Sequence, residues 1–291
     1  MAGAGRYAPT PSGDLHLGNL RTAVLAWLCA RSSGRALVLR VDDLDRVRPG
    51  AEDRQLADLA ALGVTWDGPV RRQSEHGARY ASALDRLREG HRVYPCFCTR
   101  REIAEAATAP HGVPGQYPGT CRRLTASERE TRALTRPPAW RLDAEVASLT
   151  VRDEVLGEHL GPVDDVVLVR NDGVPSYQLT TVVDDAADGV DQVVRGDDLL
   201  ASTPRQAHLC DLLGLPRPSW VHVPLAVGAG GQRLAKRDGA VTVHDLAATG
   251  VGVDEVRARI LASLGLPDAP LPDLVDAFDL ARVPREPWVV A

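Results

Sequence analysis

The sequence predicts an α/β fold built on a doubly wound, parallel sheet, split by an insertion and followed by a small C-terminal helical appendix. Three observations carry this expectation. Strand-like, turn-rich, helix-periodic and again strand-like segments follow one another between Arg6 and Asp45, the pattern of a βαβ unit. That rhythm breaks near Tyr94 and resumes near Val166. After residue 240 only short helical patterns and a proline-rich tail follow. With 291 residues, 44% hydrophobic and 25% charged, the chain suits one large domain or two to three smaller units, and its composition excludes disorder or a fibre.

The elements follow in order. Arg6-Tyr7-Ala8 opens a strand, and Pro9-Thr10-Pro11-Ser12-Gly13 is a turn-rich loop. From Gly18 to Ser32, Leu20, Val24, Trp27 and Leu28 recur at helical spacing, and Gly34 stops the helix. Ala36–Val41 is a short apolar run, expected as a buried parallel strand, and ends in Asp42-Asp43-Leu44-Asp45. Helices are expected over 52–62 and 77–89. The insertion, 94–165, holds three of the five cysteines, Pro110, Pro114 and Pro118, and strand-like pieces such as Ala139–Leu142. Strands are then expected over 166–170, 192–196 and 220–225, with a turn at Asn171-Asp172-Gly173 and a helix over 203–213. Helices over 243–248 and 253–264 precede the tail. The expected organisation is therefore a split Rossmann-like domain (1–93 and 166–240), an insertion (94–165), and a helical appendix with its tail (241–291). In such sheets ligands bind beyond the carboxyl ends of the strands.

Net charge is −5, yet residues 71–141 alone carry +7 and the remainder −12. A local basic stretch in an acidic protein suits a structured RNA, or is a solvated arginine-rich surface. Lysine plus arginine total 34, of which the single lysine is Lys236. Five cysteines and no secretory signal argue against a disulfide framework. Cys29 and Cys210 sit in apolar helical patterns and are expected in the core. No apolar run approaches the roughly 18 residues that span a bilayer. A cytoplasmic protein without a membrane partner is the expectation, and a monomer.

Pro11-Ser12-Gly13-Asp14-Leu15-His16-Leu17-Gly18-Asn19 is the strongest local signal. Its glycines let backbone approach a ligand, and His16 lies where a helix N-terminus favours phosphate. Gly230-Gly231-Gln232-Arg233-Leu234-Ala235-Lys236-Arg237 is a glycine stretch followed by cations, suited to closing over a triphosphate. Asp42-Asp43-Leu44-Asp45 and Asp184-Asp185 offer paired acids that a magnesium ion could use, but such pairs at element ends are often caps or solvated turns. Cys96-Phe97-Cys98 and Cys121 offer three thiolates to a zinc ion, which wants four tetrahedral ligands. His111 is the generic choice for the fourth.

Together these segments resemble the class I aminoacyl-tRNA synthetases, with His16-Leu17-Gly18-Asn19 as the HIGH motif and Arg233-Leu234-Ala235-Lys236-Arg237 as the KMSKS motif. The finer resemblance is to the glutamyl branch, carried by 6–13, by Leu39-Arg40-Val41-Asp42-Asp43-Leu44-Asp45 and by Val194-Arg195-Gly196-Asp197-Asp198. The Cys-x-Cys insertion and the short stretch after Lys236 resemble the truncated glutamyl-queuosine tRNA(Asp) synthetases, without the anticodon-binding domain of a glutamyl-tRNA synthetase. That resemblance implies activation of L-glutamate with ATP and Mg2+, and transfer of glutamate to queuosine at the wobble position of tRNA(Asp). It implies a glutamate site of Arg6, Tyr7, Ala8, Pro9, Thr10, Ser12, Asp42, Tyr177 and Arg195. Within it Asp42 takes the ammonium. It implies an ATP site of His16, Gly18, Asn19, Arg233 and Lys236, with His16 and Lys236 as the catalytic pair. The family pattern makes Tyr117 the fourth ligand of a structural zinc, with Cys96, Cys98 and Cys121. The chain departs from the family at Asp42, where Glu is usual, at Arg233 for Lys, at Ala235 for Ser, and at Asn19 for the last His of HIGH. The rival readings are a short glutamyl-tRNA synthetase charging tRNA(Glu), an inactive tRNA-binding paralogue, and another nucleotidyltransferase of the HIGH type.

Overall fold

Residues 3–107, 117–231, 234 and 241–290 are described by the computed structural model. Strand β1 (Ala4–Tyr7) is buried at all four positions, helix α1 (Leu17–Ser32) along most of its length, and strand β2 (Ala36–Val41) at all but its first residue. These three form the expected βαβ unit, with Ala4–Tyr7 in parallel register against Ala36–Leu39. Gly34, at φ 68°, supplies the left-handed turn between helix and strand. Helix α2 (Ala51–Ala61), the short strand β3 (Arg71–Arg72) and helix α3 (Gly77–Glu89) complete the first half.

The middle of the chain contains β4 (Val93–Cys96), α4 (Arg100–Ala107), α5 (Ala126–Ala133), β5 (Ala139–Leu142), β6 (Ser148–Asp153) and β7 (Gly157–Pro162). The second half adds β8 (Val167–Val169), α6 (Tyr177–Ala187), β9 (Val190–Gly196), α7 (Thr203–Leu213), β10 (Ser219–Val223) and β11 (Ala226–Gly228). Helices α8 (Val243–Ala248), α9 (Val253–Ser263) and α10 (Leu271–Leu274) and strand β12 (Trp288–Val290) follow.

The central sheet has the order β3-β2-β1-β9-β10-β6-β7 and is parallel except for the β6–β7 hairpin at its edge. The sheet is thus the mostly parallel, doubly wound one expected. Its membership differs from a simple split at two places. The β6–β7 hairpin lies within 94–165, yet it joins the central sheet beside β10, where Trp220 pairs with Asp153. Strand β8, expected to restart the central rhythm, instead pairs antiparallel with β5 in a separate sheet of order β4-β5-β8. Periodicity shows that a segment is a strand; it does not show which edge receives it.

The largest core cluster joins α1 and its flanking strands to the appendix. Val256, Ile260 and Leu261 of α9, with Leu271 and Leu274 of α10, pack in the same buried cluster as Leu20, Leu25 and Leu28 of α1. The buried Arg21 of α1 donates to the carbonyl of Pro224 at 2.7 Å and to Ser263 Oγ at 3.1 Å, tying helix, sheet end and appendix together. The tail ends in β12, which pairs in parallel with β11. A second cluster lies between α3, α6, α7 and the small sheet, and a third surrounds the cysteines. Cys29 and Cys210 are buried, as their apolar patterns predict. Among the described residues no helix is long and apolar enough to cross a membrane.

Candidate active site

The carboxyl ends of β1, β2 and β9 open on one cavity of about 710 Å³, a size typical of small-molecule sites. All the described residues of the expected glutamate and ATP sites border it: Arg6, Tyr7, Ala8, Pro9, Thr10, Ser12, His16, Gly18, Asn19, Asp42, Tyr177 and Arg195. Arg233 and Lys236 lie outside the described residues, as does His111. Leu234, between those two cations in sequence, is buried and lines the same cavity. Val241 is held at the start of α1, where its carbonyl accepts from Leu17 N at 3.1 Å.

The loop after β1 is fixed from beneath. Asp42 N donates to the Pro9 carbonyl at 2.9 Å, and Gln55 of α2 donates from Nε2 to the carbonyls of Thr10 (3.1 Å) and Gly13 (2.6 Å). Tyr7 Oη donates to the Asn19 carbonyl at 3.1 Å. His16 is the N-cap of α1: its Nδ1 accepts from Asn19 N at 3.2 Å, while Asn19 Oδ1 accepts from His16 N at 3.3 Å. This is a reciprocal capping box, and it explains how Asn serves at the last position of the motif. An accepting Nδ1 leaves the neutral ring's proton on Nε2. A side chain at Gly18 would bring Cβ to 3.0 Å from both Ala226 Cβ and His16 Cε1, so any larger residue there would press on the imidazole.

Two kinds of buried arginine border the cavity. Arg40 donates from Nε to Asp42 Oδ1 (2.8 Å) and from Nη1 to Asp185 Oδ1 (2.6 Å), and Arg6 Nε is 3.6 Å from Asp185 Oδ1. Burial opposes the Arg40 charge, but its three carboxylate neighbours hold its pKa well above the ordinary value. Burial raises the Asp42 carboxyl, with Arg40 opposing. Arg195 has a different shell. Its Nη1 donates to Tyr177 Oη (3.3 Å) and Gln206 Oε1 (2.8 Å), its Nη2 to Thr203 Oγ1 (2.8 Å), and its Nε to His222 Nε2 (3.0 Å). The β9–β10 register sets Arg195 directly against His222. Arg40, His222, Gln206 and Thr203 were not singled out from the sequence. The available signal was a charged or ionisable residue inside an apolar strand, as in Leu39-Arg40-Val41 and Val221-His222-Val223, which is rare unless it is paired.

Asp184 spends its carboxylate on protein donors. It is fully buried and accepts from Gln73 Nε2 (3.0 Å), Arg79 Nη1 (2.9 Å) and Tyr80 Oη (2.8 Å). Among the described residues the one cluster of ligand atoms that could hold a metal is Cys96, Cys98 and Cys121, with all three sulfurs within 4.8 Å of one another. Tyr117 Oη lies 3.3 Å from Cys96 Sγ and 3.6 Å from Cys98 Sγ, and Cys98 and Cys121 sulfurs are 3.5 Å apart. Tetrahedral zinc with sulfurs at about 2.3 Å implies sulfur separations of roughly 3.8 Å, so three thiols and the phenol fit the ion. Phe97 N donates to Cys121 Sγ at 3.4 Å. Burial raises that thiol, but this bond, the Tyr117 hydroxyl and the Cys98 and Cys96 thiols together outweigh it and bring it below its ordinary value.

The family model of class I tRNA synthetases (E and Q), catalytic domain, matches residues 4–282. The glutamyl-Q tRNA(Asp) synthetase of Nocardia farcinica is 62% identical over 291 residues, covering all of this chain and 94% of that protein. The chain belongs to the glutamyl-Q tRNA(Asp) synthetase family. The member from Cutibacterium acnes is 51% identical over 290 residues, covering 98% of this chain and 82% of that protein. Among solved structures, a glutamate tRNA ligase from Elizabethkingia meningosepticum, crystallised in complex with its amino acid, superposes with a TM-score of 0.83 at 26% identity. It covers all of this chain, which spans 67% of it. As a member of this class I family the chain is a ligase.

Proposed function

We propose that the chain activates L-glutamate with ATP and transfers the glutamyl group to the queuosine base of tRNA(Asp). The observation that carries this is Arg195: a residue only 4% exposed, at the cavity wall, with no carboxylate within 4.0 Å of its guanidinium among the described residues. A buried cation with no carboxylate in direct contact suits an anionic amino-acid side chain. The names of the relatives give the same acceptor and amino acid.

Tyr177 and Arg195 take the substrate's carboxylate end, Arg6 and the loop Tyr7, Ala8, Pro9, Thr10 and Ser12 enclose it, and Asp42 takes the ammonium. The glutamate α-carboxylate oxygen attacks the α-phosphorus of ATP, the bond to the bridging oxygen breaks, and pyrophosphate leaves. His16, at the N-terminus of α1 with its proton on Nε2, meets the phosphates together with Gly18, Asn19, Arg233 and Lys236. Mg2+ comes with ATP and neutralises phosphate charge. Zinc, held by Cys96, Cys98, Tyr117 and Cys121, orders the middle of the chain. A cytoplasmic monomer is the working form.

The test incubates the protein with labelled glutamate, ATP and tRNA(Asp) with or without queuosine, beside tRNA(Glu). Label only on the queuosine-bearing tRNA is expected. Label on tRNA(Glu) would replace this reading by a short glutamyl-tRNA synthetase. Absence of glutamate-dependent ATP–pyrophosphate exchange would leave a binding protein.

A further inference from the structure

The polar partners of Arg195 divide into two sets. Tyr177 Oη at 3.3 Å and the Leu199 carbonyl at 3.5 Å belong to residues that line the cavity. The shorter bonds, to His222 (3.0 Å), Gln206 (2.8 Å) and Thr203 (2.8 Å), come from buried side chains behind it that do not border the cavity. The long contacts are the ones a ligand can replace; the short ones fix the plane of the guanidinium.

Every acceptor in the rear set is neutral. Gln206 and Thr203 carry no charge. For His222 the neutrality follows from hydrogen-bond direction. Arg195 Nε–H can only donate, so His222 Nε2 accepts and the ring proton sits on Nδ1. That proton is donated to Asp153 Oδ2 at 2.6 Å. Asp153 also accepts from the backbone N–H groups of Val155 (2.9 Å), Leu156 (2.8 Å) and His222 (3.0 Å). Its charge is therefore satisfied before it could reach Arg195. The contrast with Arg40, neutralised by Asp42 and Asp185, shows that this fold supplies carboxylates to buried arginines elsewhere.

We propose that Asp153–His222, Gln206 and Thr203 are positioning residues for amino-acid selection. They hold Arg195 rigid with neutral acceptors, so that compensation by a carboxylate in direct contact comes only from one that enters the cavity. A neutral amide of the same shape, the side chain of glutamine, cannot supply that compensation. The proposal rests on the reading of Arg195 as the partner of the substrate carboxylate.

The decisive variant is Gln206→Glu, an isosteric change. The Gln206 Nε2 atom is buried without a hydrogen-bond partner, so a carboxylate there removes an unsatisfied donor and pairs with Arg195. The expected result is an unchanged or raised melting temperature. In ATP–pyrophosphate exchange by the full chain, KM for glutamate rises by about tenfold or more, as for loss of a supporting partner, KM for ATP stays constant, and the preference over glutamine narrows. His222→Phe, which removes the acceptor, raises KM for glutamate, and His222→Gln, which restores one, recovers most of it. Wild-type KM for glutamate in Gln206→Glu, or a lower melting temperature there, overturns the proposal. So does equal behaviour of His222→Phe and His222→Gln. Arg195→Gln separates the two levels: if it leaves KM for glutamate unchanged, the underlying assignment of Arg195 fails. If it raises KM while Gln206→Glu does not, the assignment stands and the neutral cage falls.

Discussion

At the scale of single residues, burial forces a choice on the ionisable groups packed behind the cavity wall. His222 is fully buried, and burial lowers its pKa below the ordinary value of 6.5. The bond to Asp153 opposes this, and Arg195 and Arg6 reinforce it. Asp197 is the other charged group that feels this ring. A folded-state pKa below the unfolded one means that the unfolded chain binds the proton more readily. The contribution of neutral His222 to stability is thus present above about pH 6.5 and is lost as pH falls towards its folded pKa. Melting temperatures between pH 7.5 and about 5 should fall less steeply in His222→Phe than in the parent; parallel slopes would show that the ring titrates normally. A second expectation concerns chemistry. Lys236→Ala should reduce glutamate activation by about a hundredfold or more, the scale of losing one transition-state donor, with the far-ultraviolet spectrum unaltered. Full activity in exchange would remove Lys236 from the phosphate site.

At the scale of elements, the sequence was legible where one periodicity held without competition. Ala36–Val41, Gly77–Glu89 and Thr203–Leu213 have the bounds that their patterns predict. Helix α6 was not anticipated, because Thr180, Thr181, Val182 and Val183 are β-branched and favour strands locally. Tertiary burial decided otherwise. The β6–β7 hairpin shows the other limit: local pattern does not reveal which sheet edge a hairpin joins. The candidate site divides in the same way. His16, Asp42 and Arg195 stand in segments whose residue types signal their chemistry, whereas Asp153 comes within reach of His222 only through the register of β6 with β10. Helix α9 yields a prediction of its own. Ile260 is fully buried in the cluster it shares with α1, so Ile260→Ala should cost about 2–5 kcal/mol in denaturant unfolding. A loss below 0.5 kcal/mol, the range of surface changes, would show that the appendix does not support the α1 core.

At the scale of the whole molecule, the cysteine cluster and the cavity sit in different packing units, with separate buried cores around them. Protein purified without added zinc should carry about one zinc per chain, as a closed four-ligand site does, and a strong chelator should lower the melting temperature. Near-zero metal content would remove zinc from the structure's support. The pairing of β12 with β11 bears on how the enzyme comes into being. Trp288 N bonds the Leu225 carbonyl at 2.9 Å, and Val290 lies beside Gly228, immediately before the glycines that lead into the basic loop. During synthesis the loop leaves the ribosome well before its partner strand does. The strand that pairs beside the root of that loop is thus among the last segments of the chain to be made, and the β11–β12 pairing forms only after residues 288–290 have emerged.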